Sequence, residues 1–154
     1  MQTAKVDAVN GELRTPLHEA AKSNNPEIVQ ISIEREASIT AVCSIGNTPL
    51  HYAARWNRNP DVCQILLSKG ASATAIDHFG NSTVHYAALG NNNPEVIKML
   101  LEHGASPTCV NRWNNTTLNY AIGRTNEPEG INILLDNWAQ ILSTGNLKYE
   151  VIGK

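Results

Sequence analysis

The sequence predicts an all-α solenoid of helix-turn-helix pairs joined by extended hairpin fingers, on three observations. Thr15-Pro16-Leu17-His18 recurs as Thr48-Pro49-Leu50-His51, as Ser82-Thr83-Val84-His85 and as Thr116-Thr117-Leu118-Asn119, at offsets of 33, 34 and 34 residues. A fixed period of this length marks a stacked array of units, none of which buries its apolar face alone. Asn25-Pro26-Glu27, Asn59-Pro60-Asp61, Asn93-Pro94-Glu95 and Glu127-Pro128-Glu129 repeat a second helix-start signal in every copy. Gly70 and Gly104 stand at matching places just past the apolar runs, where a helix stop is expected.

Each element follows from its residues. Thr48 is a good N-cap and Pro49 a good first helical residue, because the N–H that proline lacks is unpaired at a helix start anyway. Leu50, Ala53 and Ala54 share one face of that helix, and the alanines admit a close neighbour. Asn59-Pro60-Asp61 opens the second helix with an acid near the positive end of the helix dipole, and Val62, Ile65 and Leu66 form its apolar stripe. Ala71 to Phe79 then runs extended to Gly80, where the next unit begins.

The TPLH motif, the HEAA and HYAA runs, the LLxxGA segments and the period together resemble the ankyrin repeat family, from about Asn10 to about Leu142. The resemblance implies one ankyrin repeat domain over 1–154, with repeats at about 11–45, 46–79, 80–113 and 114–143 and a C-terminal tail at 144–154. It also implies binding to other proteins, without naming a ligand.

The copies differ in ways that carry their own expectations. Met1 to Arg14 lacks a complete copy of the finger and is expected to run irregularly into the first helix. Ser32 stands where later copies have Leu66, Leu100 and Leu134, which suits an end repeat with one face in water. Glu36 replaces the glycine of Gly70 and Gly104, so a less sharp turn is expected there. Repeats two to four carry one residue more between their helix starts than the first, which is assigned to the loop. Ser38, Thr40, Ser72, Thr74, Ser106 and Thr108 stand where the family usually has Asp and Asn, so different hydrogen bonding in the hairpin is expected. Trp138 takes the glycine position in repeat four, so the last helix is expected to run from Pro128 to about Ser143. The alternating segment Leu147 to Ile152 either packs back on the last helix pair, pairs elsewhere or frays.

Composition narrows the function classes. Twelve basic against fourteen acidic residues give a net charge of −2, with no block of one sign, so no nucleic-acid partner and no membrane patch are expected. No apolar run resembles a leader or a membrane span, and an intracellular location, cytoplasm or nucleus, is expected. Cys43, Cys63 and Cys109 form no CxxC pair, which argues for reduced thiols rather than a disulfide or zinc site. Cys63 is expected in the core, and Cys43 and Cys109 partly exposed in the fingers. The Asn-x-Ser/Thr triplets at Asn81, Asn114 and Asn115 carry no weight without secretion.

No catalytic, cofactor-binding or metal site is expected. His18, His51 and His85 lie one per repeat, and packed helices about 8 to 10 Å apart hold them too far apart to share a zinc. They match the family's TPLH histidines, which the resemblance assigns to hydrogen bonds between repeats, with Asn119 in a similar polar role. No GxSxG, P-loop, dinucleotide-binding or HExxH pattern occurs. A repeat stack offers a long concave surface instead of a deep cavity.

Alignment of the copies puts Ile45, Phe79 and Trp113 at one place near the finger tip. Two readings stand: an adhesive ladder at an interface, or packing of each against its neighbouring finger. His78 and Arg112 adjoin them, while Arg55, Trp56, Leu89 and Arg124 end the first helices, on the same side by family resemblance. Five of the six arginines lie in fingers, first helices or adjacent loops, and the second helices are richer in acids, among them Glu27, Asp61, Glu95, Glu102 and Asp136. An aromatic, mildly basic concave side favours a partner with apolar and acidic features. The expected function is a monomeric, non-enzymatic adaptor or inhibitor. The alternatives are a targeting or regulatory protein, such as a pathogen effector or assembly chaperone, and a self-associating structural protein.

Overall fold

The computed structural model describes residues 5–23, 25–56, 58–91, 93–124 and 128–144. Glu127 of the last helix-start signal and residues 145–154 of the tail lie outside them. The first helices are α1 (Pro16–Lys22), α3 (Pro49–Trp56), α5 (Thr83–Tyr86), which continues as a π-helical turn over Ala87–Asn91, and α7 (Thr117–Arg124). The second helices are α2 (Pro26–Glu34), α4 (Pro60–Ser68), α6 (Pro94–Glu102) and α8 (Pro128–Thr144).

Starts follow the capping chemistry. Asn59 Oδ1 accepts from Asp61 N–H and Asn93 Oδ1 from Glu95 N–H, each at 3.0 Å, and Asn25 Oδ1 accepts from both Glu27 and Ile28. Where Pro16 and Pro49 give way to Thr83 and Thr117, the threonine hydroxyl donates to the finger carbonyls of Ala73 and Pro107, both at 2.7 Å. First helices pack on first helices and second on second. Their shared core holds Leu17, Leu50 and Val84 from one layer and Val62, Leu66, Ile97, Leu100 and Leu134 from the other. Ala20 and Ala21, Ala53 and Ala54, and Ala87 and Ala88 are all buried, as close helix approach requires.

The fingers repeat one turn four times, including the first repeat, where an irregular run was expected. Asn10, Cys43, Asp77 and Asn111 each donate a main-chain N–H to the carbonyl four residues on, at 2.9 to 3.1 Å, and accept one from the residue three on. Three of the four add a side-chain acceptor. Asn10 Oδ1 takes the N–H of Glu12 and Arg14, Asp77 Oδ1 those of Phe79 and Asn81, and Asn111 Oδ1 those of Trp113 and Asn115. The first finger is therefore complete at its tip. Successive tips are tied by main-chain bonds: Ser44 N–H to Glu12, His78 N–H to Ile45 and Arg112 N–H to Phe79, at 2.9, 3.0 and 2.9 Å. In the serine–threonine part of the finger, Ser72 and Thr74 bond each other at 2.9 Å and Ser106 and Thr108 at 3.1 Å.

Three further expectations are corrected. Glu36 turns as sharply as the glycines: its φ is +66°, against +100° at Gly70 and +96° at Gly104. Ala37, Ala71 and Ala105 make the same closing bond, to the carbonyls of Ser32, Leu66 and Leu100, each at 3.0 Å. The extra residue of the later repeats lengthens the first helix rather than the loop. α3 and α7 have eight residues to the seven of α1, and repeat three absorbs the addition as its π turn. Cys43 is buried, because its side chain packs under Tyr52, whose hydroxyl donates to Sγ at 3.7 Å. Cys63 is a core residue whose thiol burial pushes up to about 12, and Cys109 is half-buried.

The remaining departures match expectation. α8 runs through the half-buried Trp138 to Thr144, and the Ser32 hydroxyl donates back to Ile28 at 2.8 Å within α2. Among the described residues no helix is long and apolar enough to cross a membrane.

Candidate partner-binding face

The face formed by finger tips and first helices is held in register by buried histidines. His18 Nδ1 accepts the N–H of Thr15 at 3.0 Å, as His51 Nδ1 does from Thr48 and His85 Nδ1 from Ser82 at 3.1 Å. An N–H donor at Nδ1 leaves the proton on Nε2, so these rings are neutral Nε2–H tautomers. From there His18 donates to Asn47 C=O at 2.9 Å and His85 to Asn115 C=O at 3.0 Å, each bond crossing to the next repeat. His51 Nε2 faces the Asn81 carbonyl without closing a hydrogen bond of ordinary geometry. Asn119 reproduces the local half, its Oδ1 accepting from Thr116 N–H at 2.7 Å. Burial lowers all three imidazoles, His51 to about 4.

A second ladder, missed in the sequence, stands beside the first. Tyr52, Tyr86 and Tyr120 meet His18, His51 and His85 of the preceding repeat edge to face, with centroids 5.6, 5.4 and 5.7 Å apart. Their hydroxyls reach the finger bases. Tyr86 donates to the buried Asp77 carboxylate at 2.6 Å, and Tyr120 accepts from Asn111 Nδ2 at 2.8 Å. Asn111 Nδ2 also donates to Asn81 Oδ1 at 2.8 Å, joining finger to finger. Burial, then the Asp77 bond, raise the Tyr86 phenol. The 34-residue spacing of the tyrosines was the available signal, since a core-facing aromatic with a polar tip needs a partner at every step.

On this frame the predicted residues fall into two groups. Phe79 and Trp113 stack on each other, centroids 5.5 Å apart and planes at 25°, and remain 37% and 61% exposed. The rings pack on a neighbouring finger, as the second reading of the tip position expects, and they also stay open to solvent. Ile45, 38% exposed, continues the line, and the His78 ring lies over Gly46, where a Cβ would come within 2.6 Å of it. Arg112 is exposed beside Trp113.

The second group surrounds Trp56, which is 48% exposed. Arg55 Cζ sits 4.4 Å and Lys22 Nζ 5.4 Å from its ring centroid, both at cation–π distance. Lys22 was not singled out in the sequence, because its contact comes from the preceding repeat. Ile45 borders the same cleft of about 140 Å³ with Arg14, Tyr52, Arg55 and Trp56. Leu89 lines a second cleft of about 90 Å³ with Arg55, Tyr86 and Tyr120, and Arg55 and Tyr86 line both. Gly90 is needed there, since a Cβ would meet Arg55 Cγ at 2.6 Å. Arg124 ends α7, and its side chain lies outside the described residues. What this arrangement supplies is apolar stacking surface at the finger tips and cationic charge around Trp56.

A family model described as ankyrin repeats (3 copies) matches residues 2–77 and a second time residues 60–144. No curated protein matches the chain.

Proposed function

The chain belongs to the ankyrin repeat family, and from that premise we propose that it is a non-enzymatic adaptor or inhibitor whose finger and first-helix face binds one protein partner. Ankyrin repeats generally mediate protein–protein interaction. The observation that carries the reading is the Phe79–Trp113 pair: two stacked rings left open to solvent, in line with Ile45, on tips already fixed by main-chain bonds. Aromatic surface held rigid before binding loses little entropy on docking and forms the usual centre of an interface. The four repeats act as one domain and the chain as a monomer, with the acids of the second helices on the side away from the partner.

The test is a pull-down with intact-mass readout, comparing wild type, the Phe79→Ala/Trp113→Ala double variant and Glu102→Ala, with circular dichroism as the fold control. One stoichiometric partner retained by wild type and Glu102→Ala but lost by the double variant is expected. Retention by the double variant together with loss on Glu102→Ala would place the interface on the second helices and overturn the reading.

A further inference from the structure

We propose that the cleft between Ile45 and Trp56 receives a carboxylate side chain from an extended acidic segment of the partner, gripped between Lys22 and Arg55. The inference rests on the finger and first-helix face being the binding face, and it names the chemistry that face selects.

Lys22 and Arg55 hold their charges on one half-exposed indole, at 5.4 and 4.4 Å from its centroid. Among the described residues neither has an ion-pair partner. Glu12 and Glu19, in the same repeat as Lys22, are both engaged by Arg14, at 2.7 and 2.9 Å. Two like charges at one ring repel each other, and an anion between them turns that repulsion into two attractions. Arg14, which lines the same cleft, already has the two-carboxylate environment that Arg55 and Lys22 lack.

The cleft wall is polar in a complementary way. Arg55 Nε is a buried donor without a hydrogen-bond partner, and Oδ1 of the buried Asn47 is an acceptor without one. Unsatisfied buried groups are costly, so a ligand that answers both gains from each. A carboxylate oxygen answers Arg55 Nε–H, and a peptide N–H beside it answers Asn47 Oδ1. A polyphosphate offers no such donor, and it would meet Glu12 and Glu19 in a chain of net charge −2. Ile45, at the rim, opens onto the Phe79–Trp113 line, so an apolar residue next to the acid has a place to lie.

The test follows the indole and arginine side-chain N–H signals of ¹⁵N-labelled protein by NMR. The probes are a synthetic peptide alternating Glu with Leu and Phe, its Gln counterpart, inorganic phosphate and a single-stranded oligonucleotide. The Glu peptide should shift the Trp56 indole and Arg55 Nε signals, and the Gln peptide should bind about tenfold more weakly or worse. Arg55→Gln and Lys22→Gln, which keep most of each aliphatic stem, should weaken the Glu peptide to a similar degree, and added salt should do so in the wild type. Equal binding of the Gln peptide, tighter binding of phosphate or oligonucleotide at these signals, or an unmoved Trp56 indole each overturns the proposal. If the Glu peptide moves Trp113 alone, the carboxylate subsite is wrong and the binding face stands. If shifts fall only on the second helices, both are wrong.

Discussion

Phe79 and Trp113 belong to different repeats, yet their rings lie nearly parallel with centroids 5.5 Å apart. The finger ladder explains the contact, since Arg112 N–H bonds to Phe79 C=O at 2.9 Å and fixes the two turns side by side. Because both rings are partly exposed, the stack contributes modestly to stability. Trp113→Ala should cost about 0.5 to 1.5 kcal/mol in a urea melt, the range of an aromatic pair beyond its area. The same substitution should weaken the protein partner by roughly tenfold or more, as central aromatic anchors do. A large stability loss with unchanged binding would make the pair a structural clamp instead.

Leu66 lies fully buried in α4, among the valines and leucines shared by neighbouring second helices. Leu66→Ala should therefore cost about 2 to 5 kcal/mol through lost burial and the cavity left behind. Denaturant midpoints for this variant and for the exposed Leu142→Ala give the comparison. Equal midpoints would contradict the packing.

What could be read from the sequence was what is local. Caps at Asn25, Asn59 and Asn93 act within one turn, so the helix starts were legible, and the period implied the stack. Contacts between repeats were not. Lys22 reaches Trp56 across a repeat boundary, and Tyr86 finds Asp77 only once the finger folds back on its helix. Leu13 and Glu36 show the stack overruling local preference. Both take positive φ, +58° and +66°, where the other turns hold Gly46, Gly80 and Asn114 for the first and Gly70 and Gly104 for the second, because neighbouring turns fix the path of the chain.

Glu36 offers a direct measure of that strain. A non-glycine residue in the left-handed region costs on the order of 1 kcal/mol or more, partly offset by the stiffer unfolded chain that glycine would lose. Glu36 is exposed, so little packing is lost on truncation. Glu36→Gly should raise stability by about 0.5 to 1 kcal/mol, read as a higher thermal midpoint. A lower midpoint would show that its side chain contributes a contact worth more than the strain.

The histidine ladder makes stability depend on pH with a definite sign. In the folded chain His51 is fully buried, its Nδ1 accepts the Thr48 N–H at 3.0 Å, and burial lowers it to about 4. A second proton would sit on Nδ1, facing that N–H. His18 and His85 are built alike and are lowered in the same direction. In the unfolded chain an imidazole takes its proton near pH 6.5. Between about 6.5 and 4 the unfolded state therefore binds protons that the folded state refuses, and stability falls as pH falls. His51 contributes on the order of 3 kcal/mol over that window, and below about 4 its contribution stops changing because both states are protonated. The urea midpoint should hold above neutral pH and decline from about 6.5 downward. Imidazole C–H shifts followed by NMR assign the decline to its source: the His51 signal should stay in its neutral position until pH approaches 4. A His51 titration centred near 6.5 would mean that the core accepts the imidazolium, and the ladder would then not set the acid limit of the fold.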